Sequence, residues 1–73
     1  MKTHIVMDQR GDTRHVFDPT CPVARAEADE RFRELTGKGF RAVALGRDGN
    51  KVLMRGFDAE VEQILFIPQI TGG

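Results

Sequence analysis

Residues 64–70, Ile-Leu-Phe-Ile-Pro-Gln-Ile, constrain what this chain can fold into more than any other stretch. A strand sends successive side chains to opposite faces, so one that is covered on a single side alternates apolar with polar residues. Ile64, Leu65, Phe66 and Ile67 are consecutive and apolar, which breaks that alternation. A strand of this kind either runs through the middle of a sheet or turns one apolar face toward a partner. The chain has 73 residues, and a domain near that size buries only about 60% of the surface its unfolded form exposes. There is room for one modest core built around this strand.

The other elements follow from local chemistry. Residues 3–7 and 13–17 are short β-favouring runs, with Asp8-Gln9-Arg10-Gly11-Asp12 supplying turn residues between them, so the fold opens with a hairpin. Pro19 and Pro22 then end the strand, because neither can donate to a ladder. From residue 23 to 35, Ala24, Ala28, Phe32 and Leu35 recur at helical spacing, and Arg25, Glu27, Asp29, Glu30, Arg31, Arg33 and Glu34 take the remaining, solvated faces. Thr20 is the expected N-cap, and Gly37 with Gly39 gives the left-handed stop. Residues 40–45 read as a third strand, Asp48-Gly49 as a tight reversal, and residues 51–55 as a fourth strand. Residues 56–62 form a short connection, with a helical turn started at Asp58, before the last strand over 64–70. No repeat or linker interrupts this order, which predicts a single domain over residues 1–71 and a flexible diglycine tail at 72–73.

Charge narrows the range of partners. Eleven basic and eleven acidic residues cancel, so no global field draws the protein toward nucleic acid or anionic lipid. No stretch approaches the run of about 18 apolar residues that spans a bilayer, and the start of the chain lacks the apolar core of a secretion signal. The expectation is a cytoplasmic protein that binds neither nucleic acid nor membrane. The single Cys21 cannot form an internal disulfide, in keeping with a reducing compartment.

The clearest chemical feature is Gly72-Gly73, directly after the apolar strand. Glycine has no Cβ, so these residues can lie extended in a narrow tunnel and let another backbone approach closely. The reactive group expected here is the α-carboxylate of Gly73 rather than a side chain, which makes the protein a substrate and not an enzyme.

The element order β-β-α-β-β-β, with a last strand ending in Gly72-Gly73, resembles the ubiquitin-like β-grasp proteins. The resemblance implies an α+β fold, a mixed sheet with one helix packed across it and the last strand in the middle beside the first. The tail Pro68-Gln69-Ile70-Thr71-Gly72-Gly73 is similar to the endings of the bacterial sulfur carriers for molybdopterin and thiamine. Leu45-Gly46-Arg47-Asp48-Gly49 and Phe57-Asp58-Ala59-Glu60-Val61 depart from the Asn-Gly turn and the acidic Asp-Gly-Asp loop usual in those carriers, which leaves room for a divergent bacterial ubiquitin-like modifier. In either class a ThiF-like or ubiquitin-activating-type adenylating enzyme converts the Gly73 carboxylate to an acyl adenylate with ATP and Mg²⁺. In a modifier, a carrier (conjugating) enzyme then passes the acyl group to a target protein, and a peptidase reverses the linkage. In a sulfur carrier a sulfur donor displaces AMP and leaves a thiocarboxylate for cofactor biosynthesis. The third reading is a non-catalytic β-grasp interaction module whose tail carries no chemistry. The protein holds no cofactor of its own in any of these.

Partner binding is expected near the tail, at Leu65, Ile67, Ile70 and Thr71. Ile64 and Phe66 share a face with Pro68 and Ile70, which leaves Leu65 and Ile67 for the face that one helix cannot cover, and Val43, Leu45 and Val52 are the next candidates. Other motifs have plainer readings. Arg10-Gly11-Asp12 is ordinary turn chemistry. His4 and His15 face one another if the turn centres on Gln9 and Arg10, yet with Cys21 they lack the paired spacing of a zinc site. Cys21 reads as a partly buried structural thiol, because no motif places a base beside it.

Overall fold

A tight reversal opens the fold. The computed structural model describes residues 1–68, and in it β1 (Lys2–Asp8) and β2 (Gly11–Phe17) pair antiparallel from Lys2 with Phe17 to Asp8 with Gly11. Gln9 and Arg10 are left as a two-residue loop, and the Asp8 carboxylate accepts the Arg10 N–H at 2.7 Å. Gly11 has φ of +116°, a backbone that a side chain would strain, so turn and register are set together.

Helix α1 (Pro22–Gly37) begins at the Cys21-Pro22 step, where a missing N–H costs nothing. Cys21, and not Thr20, is the N-cap, and no side chain caps the first turn. The Thr20 hydroxyl instead donates to Asp18 at 2.6 Å, because Asp18 forms a local turn that also takes the Thr20 N–H. At the other end Lys38 closes onto Glu34 and Leu35, and Gly39, with φ of +99°, reverses the chain so that Phe40 N–H reaches the Leu35 carbonyl at 3.0 Å. Gly37 is the last helical residue.

β3 (Arg41–Leu45), β4 (Lys51–Leu53) and β5 (Gln63–Ile67) complete a five-stranded mixed sheet in the order β2-β1-β5-β3-β4. β5 lies in the middle, parallel to β1 and antiparallel to β3. This is one of the two placements its double-sided apolar sequence allows. β4 is shorter than residues 51–55: it ends at Leu53, although Met54 still donates its N–H to the Ala42 carbonyl at 2.8 Å and so continues the β3 register by one residue. β5 ends before Pro68, which has no N–H for the ladder; the remainder of the strand expected to residue 70, and the tail, lie outside the described residues. No helical turn forms at Asp58. Its carboxylate accepts the Glu60 N–H at 2.9 Å, and that bond makes a turn instead.

The core lies between α1 and the sheet. Val6, Phe32, Ala42, Ile64 and Phe66 are buried together, with Leu35, Phe40, Met54, Phe57 and Val61 packed against them. Phe32 meets Phe57 and Phe66 edge-on at ring-centre distances of 5.9 and 5.8 Å, geometry that aromatic quadrupoles favour. Ala28 and Phe32 are buried, while Ala24 and Leu35 are half-buried. The described residues thus form a small α+β domain with one helix across one face of the sheet.

Candidate functional site

Register decides which side chains share a face, since residues paired across strands point the same way. His4 and Val6 of β1 pair with Ile64 and Phe66 of β5, and Ala42 and Ala44 of β3 pair with Phe66 and Ile64. This set faces α1, and Ile64 and Phe66 keep only 1% and 0% of their surface exposed. The alternate set lies on the opposite face, which no helix covers among the described residues. Its central row runs Arg14, Ile5, Leu65, Val43 and Leu53 across all five strands. Beside it, Ile67 pairs with Arg41, and Leu45 pairs with both Gln63 and Lys51.

The uncovered face therefore has an apolar centre with Arg14, Arg41 and Lys51 at its rim. Leu65 and Val43 are half-buried, Ile67 keeps 38% of its surface exposed, and Leu53 keeps 61%. Val43 and Leu45 share the face with Leu65, whereas Val52, paired with Ala44, projects from the other side at the sheet margin. Ile5 and Leu53 belong to the central row but escape a reading centred on the last strand. The alternation of Thr3, Ile5 and Met7 against His4 and Val6 in β1 carries the missing signal. Ile70, Thr71, Gly72 and Gly73 lie outside the described residues.

On the helix side His4 sits directly opposite His15, as the turn position requires. His4 is wholly buried, with Phe17, Phe66 and Phe57 edge-on around its ring at 5.0, 5.2 and 6.0 Å between centres. Burial first, then the charges of Arg31 and His15, hold its pKa down to about 4. His15 is also lowered, by desolvation and by Arg31. Arg31 is half-buried over this pair, with Nη1 enclosed, and so departs from the solvated face that the helical pattern gives it. Cys21 is exposed rather than partly buried, as are Pro22 and Val23 that follow it in the first turn of α1. Among the described residues no three His, Cys, Asp or Glu side chains converge as metal ligands.

Two further features are local. Arg47 Nε meets Glu62 Oε2 at 3.0 Å, and this contact lowers the Glu62 pKa and raises that of Arg47. Asp29, at a shallow cleft beside Phe57 and the start of α1, is held by Arg33 at 3.3 Å. No helix among the described residues is long and apolar enough to cross a membrane. Comparison of the chain with protein-family models, curated proteins and solved structures gives no match.

Proposed function

We propose that this chain is a ubiquitin-like modifier with a β-grasp head, passed to a target protein through the carboxylate of Gly73. The observation that carries the reading is the placement of β5. It is the central strand, parallel to β1, and it leaves the sheet at Pro68 beside an apolar face that α1 does not cover. A head so arranged offers an adenylating enzyme an apolar docking surface on the strand from which residues 69–73 continue.

A carboxylate is a poor electrophile because its leaving group would be oxide. The Gly73 carboxylate, free or freed by a peptidase, attacks the α-phosphorus of ATP on the activating enzyme; pyrophosphate leaves and an acyl adenylate forms. A carrier enzyme's thiolate then attacks the acyl carbon and AMP departs. An amine of the target displaces the thiolate, losing a proton as the amide forms. Throughout, this chain supplies the acyl group and the recognition surface, while its partners supply the catalytic groups. ATP-dependent activation of this kind fits the cytoplasm.

Incubation with an adenylating enzyme from the same genome, ATP and Mg²⁺, followed by intact-mass analysis, tests the reading. A covalent adduct with a protein is the expected result. Replacement of one oxygen by one sulfur in the presence of a sulfur donor would assign the chain to the sulfur carriers instead. An unchanged mass with active enzyme overturns both and leaves an interaction module.

A further inference from the structure

The geometry points to an acid-sensitive latch at His4: uptake of a proton there drives the ring out of its aromatic box and parts the β1–β2 hairpin from α1. Four observations meet at this residue. His4 is buried without exposure, in the same layer as Ile64 and Phe66. Phe17 of β2, Phe66 of β5 and Phe57 of the β4–β5 connection enclose the ring, so three separate segments of chain close on it. Neither ring nitrogen has a hydrogen-bond partner among the described residues. The ionised or ionisable groups that act on it are Arg31 from α1 and His15 from β2; β5 and the β4–β5 connection present Ile64, Phe66 and Phe57 to it.

A neutral imidazole fits such a box as a flat uncharged ring among three phenyl rings, though its two nitrogens go unpartnered among the described residues. An imidazolium does not. Among the described residues it would carry two N–H donors with no acceptor and a full charge with no carboxylate opposite, beside a guanidinium whose Nη1 is itself enclosed without a partner there. The cation is relieved only by reaching water. The hairpin that carries His4 brings the ring to water by parting from α1, the element that covers this face of the sheet.

The direction of the pH dependence follows. The folded-state value of about 4 lies below the ordinary histidine value of 6.5, so the folded state disfavours the proton. The contribution of His4 is fully present above pH 6.5, fades as pH falls below that, and is exhausted near pH 4. The whole effect on the folding equilibrium constant is at most about 300-fold, and between pH 7.5 and 5.5 it is about tenfold. That upper interval lies above the ordinary titration range of carboxylates, so it isolates the histidines.

Urea unfolding at pH 7.5 and 5.5, followed by circular dichroism, tests the latch on the full chain, His4→Phe and His15→Gln. The full chain is expected to lose about tenfold in folding constant over that interval. His4→Phe, which keeps the packing and removes the titrating ring, is expected to lose most of that dependence; His15→Gln is expected to keep it. In parallel, the His4 ring of the unsubstituted protein is titrated by NMR, a measurement that stands even if His4→Phe does not fold. Equal pH dependence in the full chain and His4→Phe, or a His4 ring that titrates near pH 6.5 in the folded protein, would overturn the proposal.

Discussion

Adjacent residues of β5 face opposite sides of the sheet, and a charge placed at each in turn makes that difference measurable. Ile64 is 1% exposed against the helix, whereas Leu65 is half-buried on the uncovered face between Ile5 and Val43. Ile64→Glu removes a fully buried side chain, at about 2–5 kcal/mol, and leaves a carboxylate with no partner among Val6, Phe32 and Phe66, at about 3–5 kcal/mol more. At about 0.05–0.15 kcal/mol per residue the whole domain has roughly 4–11 kcal/mol of stability, so this variant is expected to be unfolded. Leu65→Glu loses part of a burial worth about 1.5–3 kcal/mol and some strand preference, and its carboxylate can reach water and Arg14 or Arg41. Its cost is about 1–2 kcal/mol, a fall of roughly 5–15 °C in melting temperature. The chain contains neither Trp nor Tyr, so far-UV circular dichroism is the appropriate probe. Activation by the adenylating enzyme is measured on the folded Leu65→Glu and Ile67→Glu proteins, and both are expected to be slowed well beyond their change in stability. If Leu65→Glu is as unfolded as Ile64→Glu, the reasoning about faces fails. If it folds and is activated at the full rate, the docking assignment fails.

Phe32→Ala is expected to destabilise the domain by about 3–5 kcal/mol in urea unfolding, because the ring fills the space between Val6, Ile64 and Phe66; a loss under about 1 kcal/mol would mean that the helix face is not the core. Removing Gly73, or adding one residue after it, is expected to abolish adenylation while leaving the melting temperature unchanged, and full-rate activation of the extended chain without a peptidase would exclude the Gly73 carboxylate as the reactive group. Cys21 is exposed at the start of α1, so a thiol reagent is expected to label the folded protein at nearly the rate of the urea-unfolded chain; strong protection would contradict the exposed placement.

Much of this architecture is legible in the residues because it depends on local chemistry. The turn at Gln9-Arg10, the proline-led start of α1 and the reversal at Gly39 each follow from a backbone that only certain residues tolerate. The run Ile64, Leu65, Phe66 and Ile67 allowed a central strand or one with an apolar face turned outward, and β5 is central with Leu65 and Ile67 on the uncovered face. Ends are less legible. Thr20 has a capping side chain, but Asp18 competes for it at 2.6 Å, and only the folded turn decides between them. Met54 belongs by pattern to a strand, and its N–H still bonds the Ala42 carbonyl in the β3 register although β4 ends at Leu53.

The sequence by itself determined that Leu65 and Ile67 oppose Ile64 and Phe66, because alternation is a property of any strand. Tertiary structure decided what surrounds them: that Ile5, Leu65, Val43 and Leu53, from four strands, form one row on the uncovered face. The same holds for His4. Its distance from the turn predicts that it faces His15, but its enclosure by Phe17, Phe57 and Phe66 and its nearness to Arg31 depend on contacts between segments up to about sixty residues apart. Local preferences act over a few bonds and can be read residue by residue, whereas burial and charge proximity arise only when register and packing bring distant segments together.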